Sequence, residues 1–176
     1  IPKNGDANDI GNWRPITIYS VVRRVIEKVL DYHLRRQLSL NPNQRGFISG
    51  IPGCQINTTL INACIEDAKR KKKDCVIAFL DLTKAFDNVG HAHIQKALAE
   101  KGISKNLARI INSLLTNSHT RIQVGTIFSA PIHIRRSVPQ GGPLSPILFN
   151  LAIDFIYQTL CDSQFAAMHG YQLSEE

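Results

Sequence analysis

The chain has 176 residues, 43% of them hydrophobic and 20% charged, with a formal charge of +7. That length and apolar content can bury one sizeable core, as one domain with two lobes, and they exclude a disordered chain. The positive charge suits a polyanionic partner whose phosphates lysine and arginine neutralise, and it is equally compatible with simple solubility. The cysteines at 54, 64, 75 and 161 form no C-x-x-C pair and no zinc-like spacing. Three of them sit in apolar stretches, which predicts reduced, buried thiols in an intracellular protein. No apolar run approaches the roughly 18 residues of a membrane span, and no signal peptide is visible, so no membrane partner is expected. Beginning at Ile1 rather than Met, the chain reads as a piece of a longer protein.

Residues 1–19 are polar and turn-rich, with "NWRPITI" a short extended segment. From Val21 to Leu40, apolar residues at 22, 25, 26, 29, 30, 34 and 38 predict a helical stripe, with Arg23, Arg24, Arg35 and Arg36 on wetter faces. "NPNQRGF" ends that helix. A second helix fits 55–70, with Ile56, Leu60, Cys64 and Ala68 on one face. "KRKKK" (69–73) reads as a solvated helix end, with a nuclear-targeting or phosphate patch as the alternative. Cys75 to Leu82 is a near-continuous apolar run of strand length, which predicts a strand covered on both faces and closed by Asp81. Helices are expected over 91–101 and 104–117, with Gly102 ending one and Ser104 capping the next. "TRIQV" and "APIHIRR", joined through Gly125, predict a hairpin. "SVPQGGPLSP" is an irregular turn feeding a helix from Ser145 to Leu160.

Two stretches carry candidate chemistry. Asp81 closes an apolar run, where a carboxylate is costly unless a side chain, a water or a metal ion pairs with it. In "SVPQGGPLSP" the adjacent glycines leave the backbone open to close approach, the prolines stiffen the flanks, and Gln140 carries an amide that both donates and accepts. Lys84 and Asp87 are read as a local ion pair fixing a turn. His91 and His93, two apart with no third ligand, are read as surface residues at a helix start.

"FLDLTKAFD" and "VPQGGPLSPILFN" resemble motifs A and B of reverse transcriptases, in that order. "IPK", "NWRPITI" and "NQRGF" are similar to the fingers motifs of the same enzymes. The combination most resembles the reverse transcriptases of non-LTR retrotransposons, of the kind that insert into ribosomal DNA. Group II intron enzymes are the next nearest, and the double glycine is closer to their pattern.

The resemblance implies an α/β fold, the fingers and partial palm of a right-hand polymerase. It divides the chain into fingers (1–74), palm with motif A (75–110), an insertion with the hairpin (111–136), and palm with motif B (137–176). It implies RNA-directed DNA synthesis by two-metal phosphoryl transfer, as in target-primed retrotransposition. The expected partners are an RNA template, a DNA primer and deoxynucleoside triphosphates, and the expected cofactor is Mg2+. Asp81 is then the catalytic metal ligand, a hard anionic oxygen, joined by the Leu82 carbonyl. Lys3 and Arg14 are expected to clasp the triphosphate, Phe86 to exclude a ribose hydroxyl beneath the sugar, and Gln140 and Gly141 to contact the nucleotide. The ordinary alternatives are an exposed cut-end lysine for Lys3 and a core aromatic for Phe86. Gly142, Arg45 and Asn150 are expected at the template or primer; a solvated turn for Arg45 and a helix hydrogen bond for Asn150 are the alternatives.

Ser137 and Gly142 stand where non-LTR enzymes often have glycine and aspartate. The family's motif C, which supplies further metal carboxylates, is missing, and Asp154 and Asp162, in or beside a helix, are poor substitutes. The chain alone is therefore expected to hold half a metal site and to be inactive. A group II maturase-type enzyme, or a catalytically dead RNA-binding scaffold, is the competing reading. By resemblance the protein is expected in the nucleus.

Overall fold

The computed structural model describes residues 5, 6, 8–13 and 16–173 and divides into two compact units. The first joins Ile1–Ser39 to Lys84–Ala152, and the second joins Leu40–Thr83 to Ile153–Glu176.

In the first unit, helix α1 (Val21–Gln37) opens at Ser20, whose hydroxyl accepts from the Arg23 N–H. This satisfies one of the orphan donors of the first turn. Helix α3 (His91–Glu100) and helix α4 (Lys105–Thr116) are separated by Gly102 at φ +67°, a left-handed conformation that costs glycine little. At Ser104, the cap position of α4, the serine hydroxyl makes no cap bond, and the Ser104 N–H donates to Gln37 Oε1 instead. Helix α4 packs against both α1 and α3, and its Leu107, Ile111 and Leu115 row is buried at the i, i+4, i+8 spacing of one face. Contact with α4 also selects the face of α1. Glu27, Leu30 and Leu34 are buried, while Val22, Val25, Ile26 and Val29 of the expected stripe are exposed. Helix α5 (Ser145–Leu160) begins where expected and completes this core with Ile147, Leu148 and Leu151.

The hairpin forms as two short antiparallel ladders. Strand β1 (His119–Thr120) pairs with β4 (Ile132–His133), and β2 (Gln123–Val124) pairs with β3 (Ile127–Phe128) around Gly125. Between the ladders, Ser129 holds Ile122 through its N–H and its hydroxyl.

The second unit contains α2 (Gly53–Lys71), α6 (Ser163–His169) and the last part of α5. Ala68 is its one buried apolar residue among those described; Gln44, Asp67 and Asp154 are buried beside it. Leu60, expected on the packed face of α2, is exposed. Polar anchors do most of the fastening. Asp154 accepts from the Asn41 N–H at 2.8 Å and from Gln158 Nε2 at 3.0 Å. Asp67 binds Lys71, Arg70 and the Tyr171 hydroxyl, joining the chain near its C-terminus to α2. Helix α6 was not expected; it starts at Asp162, whose carboxylate accepts from the Gln164 and Phe165 N–H groups.

Three expectations fail here. Cys75–Leu82 has no regular secondary structure and belongs to no ladder, and Val76 and Phe79 are 93% and 82% exposed. The apolar pattern specifies a covered strand, but a strand is defined by its neighbours, and no described segment hydrogen-bonds beside this one. Asp81 therefore closes no strand. All four cysteines are free, yet none is buried: Cys54 and Cys161 are exposed, and Cys64 and Cys75 are half-buried. His91 is buried rather than superficial, because the first turn of α3 rests against residue 137 and His91 Nε2 donates to the Ser137 carbonyl.

Candidate functional site

The turn over 137–142 is built by backbone hydrogen bonds from three directions. The Val138 N–H donates to the Phe86 carbonyl at 2.9 Å, and the Ser137 N–H to the Val89 carbonyl at 2.8 Å. These two bonds join the end of "FLDLTKAFD" to the start of "VPQGGP". From a third direction, the Thr17 N–H donates to the Gln140 carbonyl at 2.9 Å. Gly141 lies at φ +108°, where a Cβ would meet the Thr17 carbonyl oxygen at 2.8 Å. Only glycine fits both the dihedral and the contact. The Ser145 hydroxyl closes the loop by donating to the Pro139 carbonyl at 2.7 Å.

Gly142 is buried. A Cβ on it would lie 2.8 Å from Ser145 Oγ, 2.9 Å from Glu27 Oε2 and 3.1 Å from Tyr19 Cε2. The close approach that both glycines permit is, in this structure, made by the protein itself. Phe86 is half-buried, with its ring stacked on Phe149 at 4.8 Å and 10°. That contact fixes the plane of an aromatic wall directly beside the turn.

Beneath the turn lies a buried polar group. Arg23 Nε donates to Glu27 Oε1 at 2.6 Å, Arg23 Nη2 donates to the Leu114 carbonyl at 3.2 Å, and the guanidinium sits over the Tyr19 ring at 5.1 Å. Burial first, and the Glu27 charge second, push the Tyr19 hydroxyl up to about 12. Tyr19, Arg23, Glu27, His91 and Ser145 help line a cavity of about 10 Å³, roughly the room one water needs.

The sequence-predicted residues distribute as follows. Phe86, Gln140, Gly141 and Gly142 belong to the first unit and are drawn together by the hydrogen bonds above. Asn150, also there, is 1% exposed and packs inside rather than lining a surface. Asp81 and Leu82 belong to the second unit and are exposed. Arg45, in the second unit too, donates to Asn57 Oδ1 of α2 at 2.8 Å. Lys3 and Arg14 lie outside the described residues. No ion pair joins Lys84 and Asp87; the turn there closes through the Asn88 N–H on the Lys84 carbonyl, with Lys84 itself at φ 48°.

Among the described residues, no three His, Cys, Asp or Glu side chains gather closely enough to hold a metal ion. One exposed carboxylate with a neighbouring carbonyl is too small a donor set for Mg2+, which favours near-octahedral oxygen coordination. The described residues therefore do not fit a complete metal centre.

Tyr19, Glu27 and Phe149 escaped the sequence reading, and Arg23, expected on a wetter face of α1, is half-buried against Glu27 and the Leu114 carbonyl. The available signal was the i, i+4 spacing of Arg23 and Glu27, which permits an ion pair on a helix face but does not say that the face is buried.

The class of protein in which an "FLDLTKAFD" stretch is hydrogen-bonded to a "VPQGGP" turn follows from comparison with known families. The model for reverse transcriptase (RNA-dependent DNA polymerase) matches residues 1–170, and the chain belongs to that family. It is similar to the retrovirus-related Pol polyprotein from type-1 retrotransposable element R2 of Popillia japonica, 38% identical over the whole chain and 24% of that relative. The corresponding R2 polyprotein of Nasonia vitripennis is 37% identical over 91% of the chain and 16% of its own length. The type-2 element R2DM polyprotein of Drosophila melanogaster is 34% identical over 91% of the chain and 15% of its own length. The chain thus spans between about a seventh and a quarter of these relatives. Their identity as retrotransposon proteins bears out the non-LTR resemblance and does not favour the group II intron reading. No helix among the described residues is long and apolar enough to cross a membrane.

Proposed function

We propose that the chain is the nucleotide-handling part of an RNA-directed DNA polymerase, composed of fingers and part of the palm, acting in target-primed retrotransposition. The observation that carries this reading is the family match over residues 1–170. The Val138–Phe86 backbone junction supports it, since it sets an aromatic wall next to a rigid turn bearing an amide.

In this reading Phe86, held flat by Phe149, limits the space beneath the incoming sugar and so favours deoxynucleotides. The Gln140 amide orients the nucleotide, and its carbonyl is fixed by Thr17. Lys3 and Arg14 neutralise the triphosphate. Asp81 and the Leu82 carbonyl would contribute part of an oxygen ligand set for magnesium, which would supply Lewis-acid stabilisation of the transferring phosphoryl group. Arg45, Gly142 and Asn150 serve the template side by holding local structure, as their contacts with Asn57, Glu27 and the interior suggest. The partners are an RNA template, a DNA primer and deoxynucleoside triphosphates, and the place of action is the nucleus.

The test is single-nucleotide incorporation on an RNA template by the full-length protein that carries this chain. Asp81→Asn keeps the shape but removes the anionic oxygen, and it is expected to lower the rate by a factor on the order of 10³ or more. Phe86→Val is expected to leave deoxynucleotide addition in place while admitting ribonucleotides. Near-parental rates for the Asn variant would show that Asp81 is a surface carboxylate without a role in the reaction. The isolated 176-residue chain is expected to bind nucleic acid weakly, with affinity falling steeply as salt rises, and not to extend a primer.

A further inference from the structure

Glu27 is a buried carboxylate that the proposed reaction does not use. It sits in α1 at 4% exposure, and one of its oxygens reaches the motif B turn at Gly142. Its Oε1 is taken by Arg23 Nε at 2.6 Å. Its Oε2 occupies the space a Gly142 side chain would need, 2.9 Å from the position of that missing Cβ. A buried charge is retained only where its partners hold it firmly, and here a single arginine does so from one turn earlier on the same helix. Arg23 is itself tied to the Leu114 carbonyl at the end of α4 and lies over the Tyr19 ring. Two residues before Tyr19, the Thr17 N–H holds the Gln140 carbonyl. The turn is thus held at Gln140 by the Thr17 N–H and abutted at Gly142 by the Glu27 carboxylate.

We propose that Glu27, locked by Arg23, is a positioning residue for nucleotide binding: its carboxylate is the seat on which the Gln140–Gly142 turn rests, and it sets where the Gln140 amide meets the incoming nucleotide. This rests on the reading of Gln140 as a nucleotide contact. Glu27 touches neither substrate nor primer and acts through Gly142. Glycine at position 142, which has no left-handed backbone, is explained by the space a Cβ would take: Ser145 Oγ at 2.8 Å, Glu27 Oε2 at 2.9 Å and Tyr19 Cε2 at 3.1 Å already fill it. Removing the carboxylate lets the turn sink or rotate, and displacement of a binding group by about 1 Å can cost up to roughly a hundredfold in efficiency.

The experiment uses the full-length protein that carries this chain, with KM for a deoxynucleoside triphosphate and kcat measured separately on an RNA template. Glu27→Ala is expected to raise KM by about 10- to 100-fold with a much smaller change in kcat, because a ground-state contact is misplaced. Glu27→Gln, which keeps the volume, is expected to fall between Glu27→Ala and the parent. Gly142→Ala is expected to raise KM as well, by driving a methyl group against Glu27 Oε2 and the neighbouring Ser145 Oγ. The diagnostic variant is Gly142→Ala combined with Glu27→Asp. Shortening residue 27 by one methylene withdraws its oxygen while Ser145 Oγ stays 2.8 Å from the added methyl, so the double variant is expected to recover only the share of the Gly142→Ala loss that Glu27 causes. Asp31→Asn, which removes a partly exposed pair with Arg35 on the same helix, serves as the control with parental KM.

A parent that adds no nucleotide at all overturns the polymerase reading and this inference with it. A parent that does add nucleotides, with Glu27→Ala and Gly142→Ala at parental KM, overturns the inference alone. So does equal loss of kcat and affinity in every folded variant without recovery in the double variant, since that is the signature of general structural damage.

Discussion

The first unit encloses a continuous apolar core from α1, α3, α4 and α5, whereas the second buries a single alanine among its described apolar residues. The first is held together mainly by area removed from water, at about 25 cal/mol per Å². The second relies on buried carboxylates, Asp67 and Asp154, that gather donors around themselves. Polar anchors of this kind confer geometry more than stability, because each must first recover the cost of leaving water. The contrast also divides the proposed chemistry. The rigid turn with Gln140 is built on the apolar core, and Asp81 is carried on an exposed segment without regular secondary structure.

The largest stability effect should therefore come from the first unit. Leu98 is fully buried in α3, and Leu98→Ala removes its packing and leaves a cavity worth roughly 2–5 kcal/mol. Phe79→Ser, in the exposed segment 75–82 of the second unit, should change stability by no more than about 0.5 kcal/mol despite deleting a larger ring. Thermal unfolding of the two variants of the chain checks this. A Phe79→Ser loss as large as that of Leu98→Ala would mean that the apolar run is covered in solution, and the contrast between the units would collapse.

Only the first unit's half of this contrast was legible in the sequence, and the failures have physical causes. Helices α1, α3, α4 and α5 followed from 3.6-residue periodicity together with Gly102 and the proline-rich turn, since these signals are local to each helix. The run 75–82 was misread because apolar content records suitability for burial, and burial itself depends on a neighbour. The buried face of α1 was misplaced because that helix is apolar on more than one side, and contact with α4 decides which side is used. Glu27 was missed because a glutamate in a helix is ordinarily exposed. Helix α6 is short, but "DSQF" contained its Asp162 cap. The turn at 137–142 was recognised by its composition, whereas its partners Thr17 and Glu27 lie more than 100 residues away in sequence.

An intermediate effect, dependent on pH, should be confined to the second unit. Lys71 foremost, helped by Arg70 and Tyr171, draws the Asp67 carboxyl down from its ordinary 3.8 to about 2. A depressed carboxyl favours the folded form above the ordinary value, and that contribution disappears as pH falls from about 4 to about 2. Tyr171 works in the opposite direction. Burial first, then Asp67, raises its hydroxyl from 10.0 to about 12, so its contribution holds below pH 10 and is lost as pH rises through 12. Hydrogen exchange in α2 should therefore accelerate between pH 4 and pH 2 beyond the intrinsic trend. Asp67→Asn should show weaker protection at neutral pH and a flatter acid limb. An unchanged acid limb in that variant would mean that Asp67 does not anchor the chain near Tyr171.

The smallest effect concerns two loop positions in the first unit that share one dihedral angle. Ser137 has φ 109° and Gly141 has φ 108°. Glycine adopts that region freely, whereas a residue with a Cβ pays about 1–3 kcal/mol to remain there. Ser137 is held in place because its N–H donates to the Val89 carbonyl and its carbonyl accepts from His91. Both bonds use backbone atoms, so Ser137→Gly keeps them and releases the strain. Glycine also gives the unfolded chain more freedom, by roughly 0.5–1 kcal/mol, which offsets part of the gain. The net expectation is a stabilisation of about 1 kcal/mol, or a rise in Tm of roughly 2–4 °C for a chain of this size. The reverse substitution, Gly141→Ser, should destabilise by more than that, because it adds a clash with the Thr17 carbonyl to the same strain. If Ser137→Gly instead lowers Tm, the serine side chain supports the turn in its own right. The first unit would then owe part of its rigidity to a polar anchor, as the second does.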